Sequence, residues 1–499
     1  MKDYKVAIAQ INPTVGDIKN NFKKIVKYIK QVNKKADLII FPELSLSGYP
    51  PEDLVLRESF LEEILIHINK IKNLSITLDI AIIFGAPLKK NKEVRNAAIY
   101  FYKEEKKIIS KVNLPNYGVF DEKRVFASGK KYDCIQHKNL RLGILICEDM
   151  WTKQIPKNLM KNGVDLFLSI NASPYDSEKD YQRKKVAKYV AKICNASLVY
   201  VNQVGGQDEL VFDGGSFCIN PPDKVLNQFN SWKEEIQIIN INIKDKQKII
   251  KDKHIKTQKP SLELNTWNAL VLGLKDYVHK NSFKKVILGL SGGIDSALSA
   301  TIAVDALGRD RVIGLLMPSK YSSKGSIDDA KKLAKLLNIK TELIKINKIH
   351  DTYIKILRKN INTNILNLTE ENLQSRIRGV LLMAYSNNYS YLLLSTGNKS
   401  EMSVGYSTIY GDMNGGFNVL KDIYKSQVYS LSKWRNKQKN HAFLGPLGEV
   451  IPENSISRER SAELSLNQKD TDSLPPYKTL DSILYNLIEK ELSIDDLVK

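Results

Sequence analysis

Residues 286–298 read VILGLSGGIDSAL, a short apolar run, then a glycine pair, then small and apolar residues that continue at helical spacing. A β-branched and leucine-rich run bounded by glycines suits a strand buried on both faces, and the glycines allow a tight turn into a helix. Strand, glycine turn and helix in that order open a parallel sheet, with ligands beyond the carboxyl ends of its strands. Outward from this unit, apolar runs over 312–317, 341–346 and 391–395 alternate with helical patterns over 327–337 and 373–387. Such alternation predicts a doubly wound parallel sheet, the Rossmann-like arrangement.

The first half of the chain is patterned differently. Strands are expected over 4–10, 38–41, 79–85, 96–102, 140–146, 166–170, 198–202 and 215–219, with a helix over 20–32. Some pairs are separated by helices and others are close enough for hairpins, which points to mixed sheets covered by helices, an αββα sandwich. A lysine-rich polar passage, 245–259, carries little apolar periodicity and ends at Pro260. It divides the chain into a domain over 1–244, a linker over 245–261 and a domain over 262–499 that opens with an amphipathic helix. The polar, turn-rich stretch 442–477 reads as a mobile lid or an exposed surface loop.

The 499 residues are 42% hydrophobic, enough for two or three cores, and no long low-complexity tract suggests a disordered protein. No apolar stretch is long enough to cross a bilayer, and the start lacks the pattern of a secretory signal. Four cysteines without a CxxC pair favour a reducing compartment. A soluble, cytoplasmic protein is expected. Lys and Arg number 76 against 55 Asp and Glu, a formal charge of +21. The lysines are spread among acids over most expected helices, so solvated faces explain them better than a nucleic-acid site does.

Three segments of the first half carry chemistry: FPELSLSGYPPEDL with Glu43, KVNLPNYGVFDEKR with Lys111, and GILICEDMW with Cys147. A thiolate can attack an amide carbonyl, a carboxylate can move its proton to the departing amine, and an ammonium can stabilise the developing charge. Together, and in this order, the segments resemble the nitrilase or carbon–nitrogen hydrolase superfamily, over about the first 240 residues. The resemblance implies Cys147 as nucleophile, Glu43 as general acid/base and Lys111 as positive stabiliser. It places Tyr49, Tyr117, Phe120, Glu148, Ser173 and Lys179 around a glutamine substrate.

SGGIDS, 291–296, is not a GxxxxGK[ST] loop. It resembles the pyrophosphate loop of N-type ATP pyrophosphatases, in which Gly289, Ser291, Gly292, Gly293 and Ser296 offer donors to phosphate and Asp295 holds Mg2+. STGNKSEMSVGYSTIYGD (395–412), LKDIYKSQVYSL (420–431), ENLQSRIRG (371–379) and SAELSLNQKDTDSLPPY (461–477) narrow the resemblance to the ammonia- and glutamine-dependent NAD synthetases. That family implies Arg376, Thr396 and Thr408 near ATP, and Asn398, Lys399, Asp412 and Lys421 toward deamido-NAD. Glu401 would join Asp295 at the metal. The implied reaction is adenylation of deamido-NAD by ATP, followed by amidation with ammonia released from glutamine and kept from solvent in a tunnel. A homo-oligomer is implied as well. One departure is Glu459 and Arg460 before SAEL, where the family has a small residue and proline.

Overall fold

The computed structural model describes residues 3–242, 250–251, 260–360, 367–457, 463–465 and 474–498. The chain divides into two compact units between Pro260 and Ser261.

In the first unit the alternation of side chains decides the layers. Along Tyr4–Gln10, Val6 and Ile8 face one core while Ala7 and Ala9 face another. Seven strands form one sheet in the order Ile250–Lys251, Glu235–Ile241, Tyr4–Gln10, Leu38–Ile40, Ala81–Lys90, Glu93–Tyr102, Glu105–Ser110. Six form a second, Lys224–Leu226, Phe217–Asn220, Ser197–Asn202, Leu166–Asn171, Leu140–Ile146, Cys134–His137. Ile8, Ile40 and Ile83 of the first sheet meet Ile144, Leu168 and Val201 of the second. Helices Ile18–Val32 and Glu58–Thr77 cover the outer face of the first sheet, and Gln154–Lys161 and Lys179–Cys194 that of the second. The result is the αββα sandwich.

The helix expected from residue 20 begins at Ile18, because the Asp17 carboxylate accepts the Asn20 N–H and caps it. Ile250–Lys251, inside the stretch read as linker, pairs antiparallel with Glu235–Ile241. Its Ile250 is buried and exchanges backbone hydrogen bonds with the Asn220 side-chain amide. Residues 245–249 and 252–259 of that stretch lie outside the described residues.

The second unit holds a five-stranded parallel sheet, ordered Lys340–Leu343, Val312–Leu316, Val286–Gly289, Leu392–Ser395, Phe417–Asn418. The chain-order reversal between its third and fourth strands is a topological switch point, and SGGIDS follows the third. Leu288 packs on one face with helix Ile294–Leu307, and Ile287 on the other with Asn367–Tyr389. Every residue of Ile294–Leu307 is buried except Asp295.

Within 442–477, residues 450–456 depart from the reading as a lid or exposed loop, whereas Leu444 and Leu447 are exposed. Val450, Ile451 and Ile456 are buried in the unit's core, and the Asn436 side chain accepts both the Val450 and Ile451 N–H groups. Glu459, Arg460 and most of 461–473 lie outside the described residues.

Candidate functional site

Glu43 follows Leu38–Ile40, and its backbone is seated against a hairpin strand at Gly85. A Cβ on Gly85 would lie 2.1 Å from Leu44 N and 2.7 Å from the Glu43 carbonyl carbon, so only glycine fits. The carboxylate is fully buried. Oε1 accepts from Asn96 Nδ2 at 2.7 Å and Lys111 Nζ at 2.8 Å, and Oε2 from the Ala172 N–H at 2.9 Å. Lys111 leaves the end of Glu105–Ser110 and donates a second bond, 2.7 Å, to Glu122 Oε1. Burial opposes its charge, but Glu43 and Glu122 outweigh that and hold the ammonium above its usual range.

Cys147 ends the strand Leu140–Ile146 and opens the turn Cys147–Trp151 with φ at +46°. A left-handed backbone is strained for cysteine, and such strain persists where the surroundings over-determine it. Here Asp149 supplies the constraint. Its Oδ2 accepts the Ile146 N–H at 3.2 Å, and its Oδ1 accepts the Val112 and Asn113 N–H groups at 3.0 and 2.8 Å. One carboxylate thereby joins the residue before the nucleophile to the two after the lysine. Burial raises Asp149 to about 6, against the pull of those amides. Burial also pushes the Cys147 thiol well up; Glu43 adds to this and Lys111 opposes it.

Around this core, Tyr49 is buried and its hydroxyl donates to Glu122 Oε1 at 2.9 Å. Tyr117 is 53% exposed, donates to Glu148 Oε1 at 3.0 Å and packs edge-on against Phe120. Lys179 Nζ lies 4.7 Å from the Trp151 ring centre. Ser173 Oγ accepts from Arg183 Nε at 3.0 Å, and Arg183 Nη1 donates to both carboxylate oxygens of Asp213.

In the second unit the SGGIDS turn is held from within. Gly293 N–H donates to Ser291 Oγ at 3.1 Å, Ser291 N–H to Ser296 Oγ at 3.3 Å, and Ser296 Oγ to Gly293 O at 3.0 Å. Gly292 has φ +86°, and a Cβ there would lie 2.2 Å from Ser326 O. Gly293 at the N-cap has no side chain to cap the following helix, whose first-turn amides suit an anion. Gly289 ends the strand, where a Cβ would meet only ordinary contacts.

Asp295 Oδ1 accepts from Asn398 Nδ2 at 2.9 Å and Oδ2 from Lys425 Nζ at 2.5 Å; the same ammonium lies 2.8 Å from Glu401 Oε1. Burial, with Asp295 beside it, raises Glu401 to about 7. These two hard oxygen donors suit Mg2+, which takes one or two carboxylates and completes its shell with water and phosphate. The group of three or more protein ligands that a dedicated cage would need does not occur among the described residues.

Thr396 is half-buried just after Leu392–Ser395. Thr408 is buried, donating to Asn372 from its hydroxyl and to Asp412 Oδ1 from its N–H at 2.7 Å. Arg376 is exposed and donates to the Ile409 carbonyl. Lys399 pairs with Glu489, and Lys421 lies 3.2 Å from Asp422. The structure thus joins Asp295, Asn398 and Glu401 directly, and Thr408 with Asp412 separately.

Glu122, Asp149, Asn96, Arg183 and Lys425 were not singled out by sequence. The first two and Lys425 stand inside the quoted segments, but in a lysine- and acid-rich chain their charges look like surface until burial is known.

Fold and site together define a thiol-type carbon–nitrogen hydrolase joined to a nucleotide-loop α/β synthetase. Comparison with known proteins agrees: the carbon-nitrogen hydrolase family matches residues 5–251 and the NAD synthase family residues 266–499. The chain is similar to the glutamine-dependent NAD(+) synthetase of Synechocystis sp., 42% identical over 99% of this chain and 90% of that one. It is 40% identical to the Thermotoga maritima enzyme, over 100% of this chain and 91% of that one. A solved structure of the Acinetobacter baumannii enzyme in complex with ADP is 40% identical, with a TM-score of 0.85, covering 100% of this chain and 90% of that one. The chain belongs to the glutamine-dependent NAD(+) synthetase family.

Proposed function

We propose that the two units make NAD(+) by amidating deamido-NAD through an adenylated intermediate, with glutamine as nitrogen donor and release of glutamate, AMP and pyrophosphate. The joining of both family halves in one chain carries this reading.

In the first unit the burial of Glu43 against Lys111, with both acting electrostatically on Cys147, supports the following roles. Glu43 takes the Cys147 proton as sulfur attacks the glutamine amide carbonyl, and returns it to the departing nitrogen as ammonia leaves. Glu43 then activates water to cleave the thioester. Lys111 stabilises the thiolate and oxyanion. Tyr117, Phe120, Glu148, Ser173 and Lys179 are assigned to glutamine. Tyr49, whose hydroxyl donates to Glu122, contributes its ring.

In the second unit the SGGIDS turn and first-turn amides are assigned to ATP phosphates, with Arg376, Thr396 and Thr408. Asn398, Lys399, Asp412 and Lys421 are assigned to deamido-NAD. Asp295 and Glu401 would hold Mg2+, which neutralises phosphate charge as the nicotinate carboxylate attacks the α-phosphorus.

A defined assay with glutamine, Mg2+-ATP and deamido-NAD tests the whole. Glutamate, AMP, pyrophosphate and NAD should appear together, and failure of NAD to form rejects the reading. Ammonia passing without release to solvent should exclude labelled external ammonium from the product; free entry of label rejects channelling. Homo-oligomeric assembly is checked by light scattering. A cytoplasmic location is part of the reading; no described helix is long and apolar enough to cross a membrane.

A further inference from the structure

Among the described residues, Lys425 bonds both carboxylates assigned to the metal, and it is 3% exposed. With Asn398 on Asp295 Oδ1, these bonds engage both oxygens of Asp295 and Oε1 of Glu401. The lysine is fixed from behind. Its N–H donates to Ser400 Oγ at 2.9 Å, the Ser400 hydroxyl donates to Asp481 Oδ1, and Asp481 Oδ2 accepts the Ser426 N–H at 2.8 Å. The Tyr477 ring centre lies 5.3 Å from Nζ. Helix Tyr477–Leu484 thereby fixes where the ammonium emerges, while the four-carbon stem leaves its tip free to change rotamer.

Two carboxylates drawn together in a partly dry site are stabilised by a cation between them. A divalent ion seeks the same oxygens. We propose that Lys425 is a tethered counter-ion that occupies the Asp295–Glu401 pair before nucleotide binds and yields at least one carboxylate to the metal that arrives with ATP. The inference rests on the assignment of those two carboxylates to Mg2+. Its consequence is that bare metal binds poorly, since it must displace a charge already in place. Metal escorted by triphosphate binds well, because the displaced ammonium finds phosphate oxygens. Lys425 is thus a positioning residue that favours entry of metal and nucleotide together.

The test is Mn2+ binding followed by its electron-spin signal, without nucleotide, together with melting in chelator and in excess Mg2+. Lys425→Met should bind Mn2+ about tenfold or more tightly than the unaltered protein, because the competing charge is gone. It should melt lower in chelator and recover with Mg2+. Lys425→Arg, which keeps the charge, should retain the original affinity. Lys425→Gln, which keeps donors without charge, gives the same reading if Lys425→Met lacks a native melting transition. Unchanged or weaker Mn2+ binding in the uncharged variants overturns the proposal. Asp295→Asn separates the two ideas: retained Mn2+ affinity overturns the metal assignment itself, whereas its loss without any gain in Lys425→Met overturns only the role of the lysine.

Discussion

Each unit buries one lysine between two carboxylates, Lys111 between Glu43 and Glu122 and Lys425 between Asp295 and Glu401. The exposures differ. The side chains of Glu43 and Glu122 are 0% and 4% exposed, those of Asp295 and Glu401 19% and 18%. On the proposed reading the sealed triad meets a neutral amide, which brings no ion to displace its lysine. The less buried triad would meet ligands that carry their own cation and four or more negative charges, which would replace its lysine. If both proposals hold, the same local charge arrangement serves proton transfer in one place and ion exchange in the other, and the difference in burial separates them.

The largest expected effect separates the two triads outright. Cys147→Ala should lower glutamine-driven NAD synthesis by more than about a thousandfold while ammonia-driven synthesis persists. Loss of both in a folded protein would break the division of labour. Asp295→Asn should reduce synthesis from either nitrogen source by about a hundredfold or more, measured as pyrophosphate release; an unchanged rate and magnesium dependence would remove it from the metal. Asp149→Ala sharpens the picture of the sealed site. Freeing the Val112, Asn113 and Ile146 amides shifts lysine and thiol relative to each other, for a loss of about ten- to a hundredfold in glutaminase kcat with little change in KM. A change confined to KM would contradict the clamp.

The smallest effect is on pH dependence. Burial lifts Glu122 from 4.5 to about 7, against the pull of Lys111. The folded protein therefore keeps a proton the unfolded chain gives up. This contribution to stability is complete below the lower value and is lost as pH rises through the higher. Glu122→Gln is neutral throughout, so the melting temperature of the variant relative to the original should climb by a few degrees between about pH 5 and 8. A flat difference would show that Glu122 is ionised across that range.

What could be read from sequence was what repeats or punctuates. Alternation in Tyr4–Gln10, the apolar run at Val286–Gly289 and the glycines of SGGIDS mark both folds. Glu43, Lys111 and Asp295 were visible because motifs surround them. Ile250–Lys251 was hidden because two residues carry no period, and Glu235–Ile241, with which they pair, was not itself read as a strand. Glu122 and Lys425 were hidden for another reason. In a chain with 76 basic and 55 acidic residues, one more charge says nothing until its burial is known.

The notch at Gly85 has a genetic consequence. Any side chain there runs into the backbone that carries Glu43, and no rotamer relieves a clash with main chain. In a selection for growth on glutamine as nitrogen donor, position 85 should therefore tolerate no replacement at all. The same library given abundant ammonia should recover every one that folds. A single glycine, with no chemistry of its own, would then record which nitrogen source the cell relies on.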